Sequence, residues 1–138
     1  MSDEKNAGEA RRWFLTARGD LESAKVLRSG GRWAHSCFHA QQAAEKALKA
    51  LCYRLDRDPW DHSVRRLLDD LAAESPEAHH ALRDLSDAAS ELDQYCIPTR
   101  YPNGLPDLTP DQVFTGTMAD HAEELATRII DRISGLMD

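Results

Sequence analysis

The run Phe38-His39-Ala40-Gln41-Gln42-Ala43-Ala44-Glu45-Lys46-Ala47-Leu48-Lys49-Ala50 constrains the fold more than any other stretch of this chain. It holds no Gly, Pro or β-branched residue and is built almost wholly from strong helix formers. Wound at about 100° per residue, it puts Cys37, Gln41, Ala44, Leu48, Leu51 and Cys52 on one broad face. A second strip, Ala40, Ala43, Ala47 and Ala50, carries only methyl groups. Another helix backbone can approach such a strip closely, and leaving it in water would forgo its burial, so it predicts the contact surface of a homodimer. The remaining border is polar, formed by Gln41, Gln42, Glu45, Lys46 and Lys49.

The flanking sequence extends the same helical logic in both directions. Residues 1–7 are polar and predict a frayed start. From Gly8 onward Ala10, Trp13, Phe14, Ala17, Leu21, Ala24 and Leu27 recur at three- and four-residue steps, until Ser29-Gly30-Gly31 stops the helix. The second helix spans Trp33 to about Leu55 and ends before Pro59. Asp61 is placed to cap a short third helix carrying Val64, Leu67, Leu68 and Leu71. Ser75-Pro76 opens a fourth, along which Ala78, Leu82, Leu85, Ala89, Leu92 and Cys96 keep near-heptad spacing. A Pro-rich irregular stretch follows from Ile97 to Leu108, and Thr109-Pro110-Asp111-Gln112 starts a fifth helix with a capping box. No strand pattern or repeat interrupts this series. The expectation is one all-α domain over 1–138, an up-and-down bundle of about five helices, four long and one short.

Composition narrows the function classes. A chain of 138 residues with 41% hydrophobic content can bury a real core. Its net charge of −7 argues against a general electrostatic grip on nucleic acid or anionic membrane, while leaving room for a local basic patch. Cys37, Cys52 and Cys96 are odd in number, widely spaced and set on apolar stripes. They predict buried thiols in a reducing cytoplasm, not disulfides or a zinc site. The first residues lack the apolar run of a signal peptide, and no stretch approaches the length of a bilayer span.

Chemistry has few places to reside. Arg100 and Tyr101 in the Pro-rich loop offer a guanidinium fork beside an aromatic face, groups that bind phosphate and stack bases. The competing role is structural: Arg100 would tie the loop to a carboxylate such as Glu45, with Tyr101 packed on the core. Glu45 lies four residues from both Gln41 and Lys49, which suits either an intrahelical Glu–Lys pair or one wall of a cleft facing Arg100. His62 sits in a turn, where it supports the third helix or lines that cleft. His35 and His39 have ligand spacing but no third ligand, so no metal and no cofactor is expected. His79 and His80 belong to a solvated helix, and His121 falls on an apolar stripe as a core histidine.

Three blocks, in order, carry a resemblance. Phe38–Leu51 resembles the signature second helix of HEPN domains, the higher-eukaryote and prokaryote nucleotide-binding family. Asp61-His62-Ser63-Val64-Arg65-Arg66-Leu67-Leu68 looks like that family's histidine-led short helix. Thr99-Arg100-Tyr101-Pro102 is similar to the Arg-Tyr-Pro loop of the branch found beside minimal nucleotidyltransferases, and the opening Trp13-Phe14-Leu15 block also fits. The resemblance implies a homodimer with a cleft at or near its interface, and nucleotide or RNA binding at Arg100, Tyr101, Glu45, Lys49 and His62. It also implies a nucleotidyltransferase protein partner in a toxin–antitoxin arrangement. Many members are metal-independent ribonucleases using Arg, four to six residues, then His. Here Leu105, Pro106 and Asp107 occupy the places of that His after Arg100. The leading expectation is therefore a binding module. The alternatives are a ribonuclease toxin and a structural helical dimer that docks a protein partner.

Overall fold

The structure, a computed structural model, describes residues 3–137. Two long helices, α1 (Asp3–Ser29) and α2 (Trp33–Arg54), form an antiparallel hairpin. The turn between them works as the Gly pair predicts. Gly31 adopts φ 76°, which favours glycine, and the Arg32 amide reaches back to the Leu27 carbonyl at 2.8 Å. Contacts along the hairpin run in antiparallel order: Ser36 Oγ donates to the Ala24 carbonyl, Lys46 pairs with Asp20, and Tyr53 stacks on Trp13.

A third long helix, α7 (Gly116–Leu136), lies against both, parallel to α2. Arg28 near the end of α1 pairs with Asp120 and Glu123 close to the start of α7, while Arg54 donates to the Met137 carbonyl at its other end. Shorter helices close the bundle: α3 (Val64–Ala72), α4 (Pro76–Leu82), α5 (Ser86–Asp93) and α6 (Pro110–Val113). No strand occurs among the described residues. The core joins the main helices through Leu21, Leu48, Leu68, Leu82, Leu92, Ile129, Ile130 and Ile133.

Local boundaries depart from the periodicity at four points. α1 starts at Asp3, so residues 3–7, expected to fray, are helical, and Asn6 is buried; Met1 and Ser2 lie outside the described residues. Asp3 and Glu4 suit the positive end of the helix dipole. α3 is capped by Ser63, which accepts from the Arg66 amide, while Asp61 accepts from the Ser63 amide one step earlier. The expected fourth helix is interrupted by a 3₁₀ turn at Arg83–Leu85 and ends at Asp93. The expected fifth helix breaks after one turn, because Phe114 takes an extended conformation and turns its ring into the core against Tyr95. Thr115 then caps α7 by accepting from the Met118 amide. Gly116 follows at a spot where a Cβ would sit 3.4 Å from the Trp33 ring.

Candidate functional site

One polar strip crosses α2 and remains in contact with the surface. Gln41, Glu45 and Lys49, on successive turns, are buried, at 0%, 4% and 5% exposure. Lys49 Nζ pairs with Glu45 Oε2 at 3.2 Å, and Gln41 Nε2 donates to Glu45 Oε1 at 3.2 Å. Gln42 Nε2 donates to Gln41 Oε1 at 2.8 Å and extends the chain of groups outward. His62 closes the strip: its Nδ1 lies 3.4 Å from both Glu45 Oε2 and Lys49 Nζ, yet its side chain is 81% exposed. A buried ion pair adds little to stability over a well-packed apolar pair. Its presence beneath an exposed histidine marks a polar opening in an otherwise apolar face.

The position of His62 is fixed from below. Asp93, the last residue of α5, accepts from Ser63 Oγ (2.8 Å), the Val64 amide (2.7 Å) and the Arg65 amide (3.1 Å). It satisfies the free amides at the start of α3 and so holds the turn that carries His62. Nothing local in the sequence points to this contact, because Asp93 lies 30 residues from Ser63.

Arg100 and Tyr101 occupy the other end of the strip. The segment 94–101 leaves α5 as a series of turns, with Thr99 Oγ1 donating to the Tyr95 carbonyl and both Arg100 and Tyr101 amides donating to the Ile97 carbonyl. The Arg100 guanidinium stacks 4.4 Å from the centre of the Phe38 ring and 5.3 Å from that of Tyr101. Its Nε donates to the Cys96 carbonyl at 3.0 Å. Among the described residues it pairs with no carboxylate. The expected alternative, an Arg100–Glu45 tie, is not formed, since Glu45 is taken by Lys49 and His62. Tyr101 is about half exposed and does not pack on the core. Phe38 stands seven residues before Glu45 on α2, about 10 Å along the helix axis, and among the described residues no hydrogen bond or ion pair joins Arg100 to Glu45 or His62. Phe38 itself, the platform under Arg100, escapes sequence reasoning because a lone aromatic on a helix signals packing first.

Other expectations need correction. Ala40, Ala43, Ala47 and Ala50 are 0% exposed within the single chain. The methyl strip does admit close helices, but they are the chain's own, so it is not available as a dimer surface. His121 is not a core histidine: it is half-exposed and pairs with Glu91 at 2.9 Å. His39 lies 3.9 Å from Asp20, and no group of three or more His, Cys, Asp or Glu among the described residues is placed to hold a metal. Cys37 and Cys52 are buried free thiols, and burial pushes them up to about 12 and about 11. Cys96 is only half-buried, with Arg100 Nη2 3.6 Å from its sulfur.

The HEPN domain model matches residues 10–136, nearly the whole chain. The chain belongs to the HEPN domain family. Solved structures agree with this HEPN assignment. A protein of Thermus thermophilus shares 38% identity over 92% of this chain and 97% of its own, with a TM-score of 0.84. An archaeal HEPN homologue shares 31% over 94% and 98%, with a TM-score of 0.77. A HEPN domain protein of Thermotoga maritima shares 33% over 91% and 96%, with a TM-score of 0.69. No curated protein matches. No helix among the described residues is long and apolar enough to cross a membrane.

Proposed function

We propose that this HEPN domain is a nucleotide- or RNA-binding module that works with a nucleotidyltransferase partner in a toxin–antitoxin arrangement. The observation that supports it most is Arg100: a guanidinium stacked on two aromatic rings, at the surface, with its charge unmatched by any carboxylate among the described residues. Such a group meets a phosphate as a fork, and the half-exposed Tyr101 beside it offers a base a stacking face. The strip of Gln42, Glu45 and Lys49 further along the same helix, with His62 of the following loop against it, supplies donors and acceptors. The partner and the arrangement rest on the resemblance of Thr99-Arg100-Tyr101-Pro102 to that branch. Homodimerisation, also part of that resemblance, requires a face other than the alanine strip. Ile97 and Tyr101, each about half exposed beside Arg100, are available for it.

Ribonuclease activity finds less support. Metal-free RNA cleavage needs groups that take and give a proton near neutrality, and Arg does neither. His62 is the histidine of the strip, but within one chain its hydrogen-bond contacts are Glu45 and Lys49, while those of Arg100 are to Cys96. The test is fluorescence anisotropy of labelled nucleotides and short single-stranded RNA, with chelator present and the RNA checked for cleavage. Arg100→Ala should weaken binding by about 1 to 3 kcal/mol while leaving the melting temperature nearly unchanged. Unaltered binding in that variant would remove the site. Cleavage lost in both Arg100→Ala and His62→Ala would establish the enzyme instead.

A further inference from the structure

A cleft of about 530 Å³ opens between the end of α2, the 57–61 loop and α3, on residues the nucleotide reading does not use. Its size is that of clefts that take small ligands. The floor is apolar, made by the buried side chains of Cys52, Leu67 and Leu71. The walls carry four carboxylates, Asp58, Asp61, Asp70 and Glu74, against one guanidinium, that of Arg57. Arg57 is already paired with Glu74, and Asp61 is engaged by the Ser63 amide and, at 3.7 Å, by Arg66. Asp58 and Asp70 have no ion-pair partner among the described residues. On the floor, burial raises the Cys52 thiol, with Asp70 adding to the rise and Lys49 and Arg57 opposing it.

The rim supplies the second requirement. Trp60 is 77% exposed, an indole left mostly uncovered by the described residues. An uncovered indole over an apolar floor, flanked by unmatched carboxylates, suits a positive head on an alkyl stem: the ring face and the carboxylates attract the charge, and the floor takes the methylenes. A phosphate would meet net negative charge here, so the cleft is distinct from the Arg100 site.

We propose that this cleft binds an organic cation, an alkyl amine or guanidine. The test titrates spermidine and agmatine into the full chain at low salt, following tryptophan fluorescence and heat, with AMP as the anionic control. Trp60→Phe assigns the fluorescence signal to the rim. Saturable binding at millimolar concentration or below is expected for both cations, while AMP, which the Arg100 site would take, should leave the Trp60-dependent fluorescence unchanged and should not displace them. Asp70→Asn should weaken it about threefold and Asp58→Asn/Asp70→Asn about tenfold, with Trp60→Ala also about threefold weaker. Asp58, Trp60 and Asp70 are at the surface, so unchanged melting temperatures verify that each variant folds. Nucleotide or RNA binding should be equal in wild type and Asp70→Asn, which keeps this site separable from that of Arg100. Absence of saturable binding, equal affinity in the double Asp variant, or AMP competing with the cations would overturn the proposal.

Discussion

At the scale of single residues, Glu45 and Lys49 show how a partner decides what a charge does. Each is buried, and removing Lys49 takes from Glu45 its one buried cation, leaving it only Gln41 and the exposed His62. Lys49→Ala should therefore cost about 3 to 5 kcal/mol in denaturant unfolding, the range for breaking a buried pair from one side. His62→Ala, mostly in water, should cost within about 0.5 kcal/mol. Equal losses in the two variants would mean that the pair is not buried as described. The two buried thiols make a pH prediction. Their ordinary value is 9.0, and the fold raises Cys37 to about 12 and Cys52 to about 11. Above pH 9 the unfolded chain releases protons that the folded chain keeps, so rising pH favours unfolding. The contribution of the thiols should be constant below pH 9 and then fall, through about pH 11 for Cys52 and pH 12 for Cys37, by at most about 1.4 kcal/mol per pH unit for each. Tyr95, raised by burial from 10.0 to about 12, adds to the fall above pH 10. Urea midpoints on either side of pH 9 check this, and Cys37→Ala should flatten the slope. The identity of Glu45, Lys49, His62, Arg100 and Tyr101 as polar groups worth attention was legible from residue type and spacing. That Glu45 would turn to Lys49 and away from Arg100 was not, because both partners were chemically equal until the loop had a position.

At the scale of elements, the long helices follow from periodicity and punctuation. α2 and the Gly30-Gly31 turn could be placed almost to the residue, since composition and stop signals agreed there. The breaks at Arg83–Leu85 and Phe114 could not, because apolar spacing continues across both, and at Phe114 the ring turns into the core against Tyr95. The alanine strip was equally ambiguous: small residues invite a close helix without saying whose. It is filled by the chain's own bundle, so Ala47→Glu would place a charge in the core. α3 depends on a contact from afar, the Asp93 carboxylate at its first amides. Asp93→Ala removes three accepted hydrogen bonds and should destabilise by about 1 to 3 kcal/mol, while Asp93→Asn keeps part of the effect. Denaturant midpoints measure the loss, and hydrogen exchange should show the amides of Val64 and Arg65 opening first. Unchanged protection there would contradict the capping role.

At the scale of the molecule, a chain of net charge −7 has to bind a polyanion through a few well-placed groups and not through its overall field. The local arrangement offers that at one end of α2, where Arg100 is held between Phe38 and Tyr101, and it offers the opposite sign at the Trp60 cleft. The most direct measurement is photo-crosslinking of a bound azido-nucleotide, or of short RNA carrying 4-thiouridine, followed by peptide mapping. Label on the peptide containing Arg100 and Tyr101, with a second position on the segment around His62 or Phe38, is the predicted result. Label confined to the outer face of α1 or to the Trp60 cleft, with the 94–101 segment unmarked, would contradict it.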